Sequence, residues 1–516
     1  MNCLAPGLVS LCLASSLHAA DIVCLRDGRI YEDVLTQKTE DGLILFFAHG
    51  DILVPEDMIL DCVADVESYV PTTDEEKEYL EKGYVRFDEK WMSRTRRDAI
   101  VKERIEARRA QVEEMKALGL WRNRHIEETK NFAFESTVPL HIFVEYRDMM
   151  EDYFQAFMKL WRVKPPRDQR RLKVLFYSDY DSFLQVTGVP NGVLGFFKPF
   201  GEMELDIFFQ RIDPTQTEWV IYHEANHYLQ RLVDLGFKYP HWPGESLAEY
   251  HAGARRDPKT GKVTFGYVLE DRVVQIQQDL LDGDTVHLEQ MLLGCNDRNF
   301  FDYTWGWSLV HFLMEHRKHG SSFKKFFLAL ATAKDIDRVN TSYGVQAFQT
   351  VEGPEMLRAF RKYLGLKKDA DFEELESEWH AYVKNLQVQS VRGFEQAAFS
   401  ALRSRLHKRA ARLLQEAIDR GSTNPLTFHR FAELHYDDGK YQDAVDMWLR
   451  AIEHDPLSQD YYVGLGRSML MVPGEEERKE AERWLLLALE LDESNNVLAD
   501  SIPRWLQAAD KKGEKN

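Results

Sequence analysis

The sequence predicts an α+β protein built from several parts, and three observations carry that prediction. Residues 21–66 alternate short apolar runs with turns, residues 130–390 mix strand-like segments with amphipathic helices, and residues 391–500 return small residues at a fixed interval. A chain of 516 residues with 44% hydrophobic content can bury several cores. The net charge of −19 and pI near 5.4 exclude broad binding to nucleic acid or anionic membranes, because those partners demand positive potential.

Residues 1–20 are expected to be a secretory signal peptide. Leu8 to Leu17 is apolar and the segment ends in Ala19 and Ala20, although no Lys or Arg precedes the apolar stretch. No later segment approaches the length of a membrane span, so the expectation is a soluble protein exported to the periplasm or the extracellular space. Signal removal would leave Cys24, Cys62 and Cys295, too few for a disulfide scaffold. Cys24 and Cys62 sit near the two ends of one small segment and either pair or remain two buried thiols.

Within 21–66, the apolar runs Ile22–Leu25, Leu43–Phe47 and Ile52–Val54 are separated by Asp27-Gly28, Asp41-Gly42 and Gly50-Asp51, the pattern of a small antiparallel, barrel-like β module. Residues 67–129 read as a charged helical linker. Its arginines, among them Arg94, Arg97 and Arg104, are interleaved with Glu103, Glu106 and Glu113 at helical spacing, which describes a solvated helix better than a basic patch. Residues 130–390 form the next domain, with a strand expected at Leu140–Val144, an amphipathic helix at Met149–Trp161 and a strand at Leu172–Tyr177. The segments Val193–Phe197 and Glu204–Phe209 form either a sheet edge able to pair with an extended peptide or a wholly internal hairpin.

The chemistry is concentrated in the run His223-Glu224-Ala225-Asn226-His227. Positions i and i+4 share a helix face, so the two imidazoles can grip one metal ion, and Glu224 projects beside it, where a carboxylate can take a proton from a metal-activated water. Trp219, Val220, Tyr222, Tyr228 and Leu229 give the run a helical context, with Gly236 as the stop. Glu245 follows His227 by eighteen residues, and Glu249 lies on the same helical face as Glu245. Glu245 can complete the ligand set and Glu249 can accept the outer N–H of a ligand histidine; the plainer reading of this pair is a solvated acidic face.

This pattern resembles the gluzincin metallopeptidases, HExxH followed by a glutamate on the next helix, and the likeness covers roughly residues 130–390. It implies a thermolysin-like catalytic domain holding Zn²⁺ through His223, His227 and Glu245, with Glu224 as general base and then acid. Tyr303-Thr-Trp-Gly306 resembles the Tyr-x-x-Gly helix of the aminopeptidase and leukotriene-hydrolase branch. The resemblance gives the Tyr303 hydroxyl the role of oxyanion donor, and a core aromatic is the alternative. The stretch Gly201–Leu205 does not reproduce that branch's amine-holding segment, so aminopeptidase specificity is not implied.

In the C-terminal part, Ala410 and Ala417 recur as Ala444 and Ala451 thirty-four residues on, and as Ala481 and Ala488 after a three-residue expansion near Pro473-Gly474. With Phe428, Ala432, Gly439, Tyr441, Trp448 and Pro456, the middle copy resembles a tetratricopeptide repeat. That resemblance implies a helical array over 391–500 that binds a protein partner or stabilises the catalytic domain, and residues 501–516 follow as a charged tail. The expected function is an exported zinc metallopeptidase acting on a peptide or protein substrate. The alternatives are a non-peptide amide or ester hydrolase at the same site, or an interaction scaffold with a vestigial zinc domain.

Overall fold

Largely apolar runs such as Leu172–Tyr177, broken only by the half-buried Lys173, form strands that are covered on both faces, and such strands assemble into parallel sheets sheathed by helices. This is the arrangement in the computed structural model, which describes residues 21–25, 29–63, 71–87, 90–167, 169–210, 213–298, 303–343, 346–492 and 495–513. The expected leader, 1–20, and residues 514–516 of the expected tail lie outside these. The protein mixes helix and strand and ends in a helical array. It divides into two compact units, one made of residues 1–114 and 435–516, the other of residues 115–434. The expected partition places its boundaries elsewhere: the charged helix Arg94–Leu118 and the array at 434/435 each cross from one unit to the other.

The larger unit holds a five-stranded sheet of β1 (His125–Glu128), β2 (Phe132–Ser136), β3 (Leu172–Tyr177), β4 (Gly195–Lys198) and β5 (Glu204–Phe208), in the order β4-β5-β3-β2-β1. The three middle strands are parallel and both outer strands run antiparallel to their neighbours. β4 is therefore a sheet edge. The expected strand at 140–144 is instead the first turn of α1 (Leu140–Trp161). Phe143, Tyr146, Met149, Met150, Tyr153, Phe154, Phe157, Met158 and Trp161 are buried at helical spacing, so the run Leu-His-Ile-Phe-Val belongs to a 3.6-residue stripe that overrides its local strand character.

α2 (Pro214–Arg231) carries the HEANH run. Asp213 caps it through a bond from the Gln216 N–H, and proline fits its first turn. It ends at Arg231, short of the expected stop at Gly236, where the Arg231 guanidinium donates to the Leu235 and Phe237 carbonyls. α3 (His241–Ala252), α4 (Glu270–Asp282) and α5 (Tyr303–Glu315) complete the surroundings of the site. A buried polar chain locks α2 to its neighbours: Asn226 Nδ2 donates to Tyr153 Oη on α1 at 2.8 Å, and Gln230 Nε2 donates to Asn226 Oδ1 and to the Gly244 carbonyl of α3 at 2.7 and 2.8 Å. Because each partner is satisfied, this chain fixes the relative register of three helices.

In the smaller unit, five antiparallel strands (Asp21–Leu25, Ile30–Lys38, Gly42–Phe47, Gly50–Pro55 and Ile59–Val63) form a curled, open sheet with Gly50–Pro55 and Ile59–Val63 as its edges. The expected barrel does not close. Leu485, Leu487 and Ala488 of the helix Glu475–Leu491 join Val23, Leu45 and Val54 in one core, so helices supply the cover that closure would otherwise provide. Cys24 and Cys62 are not joined to each other by a disulfide, Cys24 being buried and Cys62 partly so. Cys62 pairs with Val23 in the strand register, which turns Cys24 to the opposite face of the sheet.

Among the described residues from 391 onward, seven helices follow one another, and Ala410, Ala417, Ala444, Ala451, Ala481 and Ala488 are all fully buried. Small side chains at these positions let helix backbones approach closely. Among the described residues no helix is long and apolar enough to cross a membrane.

Candidate metal centre

His223 and His227 lie one turn apart on α2, and Glu245 faces them from the second turn of α3. The three donor atoms form a nearly equilateral triangle: His223 Nε2 to His227 Nε2, His223 Nε2 to Glu245 Oε2, and His227 Nε2 to Glu245 Oε2 are each 3.3 Å. A regular tetrahedron with that edge has its centre about 2.0 Å from every corner, which is the bond length of a four-coordinate zinc ion to nitrogen or oxygen. Two imidazole nitrogens that face one another at this distance cannot both point a proton into the gap. The three donor atoms could therefore hold one cation between them, although Glu245 Oε2 is also placed to accept from both imidazoles. Among the described residues this is the one group of three metal-ligating side chains whose donors all lie within 4.8 Å.

The electrostatics agree with the geometry. Burial alone would depress the His223 imidazole, but the carboxylates of Glu245, Glu249 and Glu224 outweigh it and hold it at about 9. Burial likewise works against the charged form of Glu245, yet the two imidazoles keep its carboxyl well below the usual range. The pocket is short of positive charge, as an acidic cation site would be.

Glu224 projects from α2 next to the first histidine. Burial pushes its carboxyl above the ordinary range, opposed by His223, His227 and a hydrogen bond from the Phe197 backbone. Phe197 belongs to β4, the sheet edge, which approaches α2 so closely that a Cβ on Gly195 would lie 2.6 Å from Val220 Cγ1. Glycine at 195 is thus what lets the edge strand reach Glu224. On the far side of His223, Nδ1 lies 3.5 Å from Glu249 Oε1. Glu249 is itself gripped by Arg272 of α4.

Tyr303 is the first residue of α5 and is 39% exposed, so it is not a core aromatic. Its ring centroid lies 6.3 Å from that of His223 and 5.9 Å from that of His241. Burial of the hydroxyl, reinforced by Glu245, Glu249 and Glu224, raises its pKa far above the ordinary value, so it remains a protonated donor at neutral pH. All six residues singled out in the sequence, His223, Glu224, His227, Glu245, Glu249 and Tyr303, thus come together in one place.

Three further residues enter the site. His241 sits four residues before Glu245, with Nδ1 3.7 Å from its Oε1, a spacing legible in the sequence. The ring of Trp219 lies 5.6 Å from that of His223, also one helical turn away. Arg272 comes from twenty-three residues beyond Glu249 with no local pattern to announce it. No family model matches the chain, and no curated protein matches it with significance.

Proposed function

We propose that the protein is a zinc-dependent hydrolase of the gluzincin type whose substrate is a peptide bond. The observation that carries this reading is the 3.3 Å triangle of His223 Nε2, His227 Nε2 and Glu245 Oε2 with the Glu224 carboxyl alongside. A purely structural ion has no need of a neighbouring free carboxylate, so Glu224 also weighs against a vestigial site. When bound, zinc would polarise the scissile carbonyl and lower the pKa of a coordinated water toward about 7.

The chain's own residues supply the rest. Glu224 accepts a proton from the attacking water and delivers it to the leaving amine, its carboxylate held in place by the Phe197 backbone. Tyr303 donates its hydroxyl proton as a hydrogen bond to the oxygen on which negative charge develops. The free edge of β4 beside Glu224 offers main-chain groups to an extended substrate, which favours a peptide over a small ester or amide. In the same reading, the C-terminal helices are tetratricopeptide-like pairs whose buried alanines set the helix packing.

The decisive experiment combines elemental analysis of the purified protein with a peptide-library digest by wild type and Glu224→Gln. About one zinc per chain and cleavage by wild type alone are expected. Absence of bound zinc, or equal cleavage by the variant, would sink the proposal.

A further inference from the structure

Glu249 is almost completely enclosed, its side chain only 2% exposed, so its orientation is set by what it touches. On one side lies His223 Nδ1. On the other lies Arg272 of α4, whose Nε is 3.2 Å from Glu249 Oε2 and whose Nη2 is 3.1 Å from both carboxylate oxygens. A planar guanidinium that engages both oxygens fixes the plane of a carboxylate as a point charge cannot. Arg272 is held in turn beside Asp271 and over the ring of Trp219, which itself stacks near His223.

The helix that carries Arg272 is gripped from two directions. Gln275 Oε1 accepts hydrogen bonds from Thr304 of α5 and from Ser400 of the helix Val391–Arg403, at 3.3 and 3.2 Å. One turn on, Asp279 accepts from Trp305 of α5 at 3.0 Å and from Arg409 of the helix His407–Asp419 at 2.6 Å. At the start of α4, the Glu270 carboxylate accepts from the Ser390 backbone at 2.7 Å, and a Cβ on Gly393 would lie 2.9 Å from Glu270 Cβ. The first two helices after residue 390 therefore register α4, and α4 in turn registers both the Tyr303 helix and Glu249.

We propose that Arg272 is a positioning residue of the metal centre, acting on His223 through Glu249, and that the helices of residues 391–419 hold it in place by clamping α4. The inference rests on the zinc reading above. It makes the beginning of the C-terminal array a working part of the site, separate from any partner-binding role.

The test measures zinc affinity by competition with a chromogenic chelator, alongside melting temperature, for the full-length wild type, Arg272→Met, Arg272→Lys, Glu249→Gln and the double variant Glu249→Gln/Arg272→Met. Loss of an outer partner of a ligand histidine typically weakens metal binding by roughly 10- to 100-fold, and that loss is expected for Arg272→Met, with partial recovery in Arg272→Lys. The double variant is expected to bind no more weakly than the poorer single variant, because Arg272 acts only through Glu249. A merely structural arginine would instead give multiplying losses, or a lower melting temperature with unchanged affinity, and either result overturns the proposal. Should Arg272→Met fail to fold, Arg272→Lys decides: a several-fold loss of affinity supports the proposal, and wild-type affinity overturns it. Wild type that binds no zinc overturns the metal reading and this inference together, whereas normal binding by wild type and by the folded Arg272 variants overturns this inference alone.

Discussion

Two buried imidazoles of the larger unit, His223 on α2 and His251 near the end of α3, respond to burial in opposite ways. His223 is held at about 9 because Glu245, Glu249 and Glu224 surround it and outweigh its burial. His251 is pushed down to about 3 by burial alone: its ring lies among Tyr153, Phe157, Trp161, Tyr250 and Phe265, and Nε2 accepts a hydrogen bond from the Trp161 indole at 3.3 Å. Desolvation by itself makes a neutral packing histidine. Converging carboxylates instead favour a positive charge at the ring, so the contrast lies chiefly in the partners.

The largest expected effect tests that contrast directly. His223→Ala, His227→Ala or Glu245→Ala should each abolish stoichiometric zinc, well beyond the roughly 10- to 100-fold cost of losing an outer partner, while His251→Phe should keep it. Elemental analysis of the four purified variants decides the matter. Zinc retained in all three ligand variants would dissolve the distinction between the two histidine sites.

Next in size is the proton-transfer role of Glu224. Glu224→Gln should keep zinc and fold while lowering turnover by on the order of 10²- to 10⁴-fold, the usual contribution of a positioned acid–base group. Steady-state kinetics on any cleaved peptide, with metal content measured in parallel, gives the answer. Unchanged turnover would leave the carboxylates as electrostatic furniture around His223.

Tyr303 sharpens the contrast from the substrate's side, since its ring lies beside His223, with centroids 6.3 Å apart. Tyr303→Phe keeps the ring and deletes one donor. The expected cost is about 2.7–4 kcal/mol in kcat, with KM, zinc content and melting temperature little changed. Near-normal kcat would reduce Tyr303 to a ring neighbour of His223.

The sequence made the histidine site readable because its chemistry follows helical spacing: His223, Glu224 and His227 within one turn, Glu245 and Glu249 within the next helix, and Tyr303 at the head of another. The strand Leu172–Tyr177 was equally legible from its apolar run, interrupted only by Lys173. Leu140–Val144 misleads because its aromatic and β-branched residues favour a strand locally, while the stripe from Phe143 to Trp161 becomes visible only over five turns. The open sheet of residues 21–63 could not be told from a barrel, since the helix that covers it lies more than four hundred residues away. Arg272 is hidden for the same reason, because nothing near it in the chain names Glu249 as its partner. The character of His251 also stayed hidden, its apolar cage being assembled from α1, α3 and the segment around Phe265.

The last expected effect, on stability and not on turnover, is a pH dependence that belongs to His251 and not to the candidate metal centre. Its folded value of about 3 lies below the 6.5 of an unperturbed imidazole, so between those values the unfolded chain binds a proton that the folded chain refuses. The associated stability is complete above about pH 6.5 and is lost as pH falls toward 3. Between pH 7 and pH 4 the loss should be about 3 kcal/mol. Burial is the cause of the lowered pKa, with no charged group contributing to it. His251→Phe removes the titrating ring while preserving an aromatic of similar shape, although it leaves the Trp161 indole N–H without its acceptor and should lower stability at every pH. The informative quantity is therefore the difference between pH 7 and pH 4, measured by thermal melting with chelator present so that metal loss is common to both proteins. A smaller acid-induced drop in the variant supports a neutral packing histidine, and equal drops would show that His251 takes up its proton without unfolding.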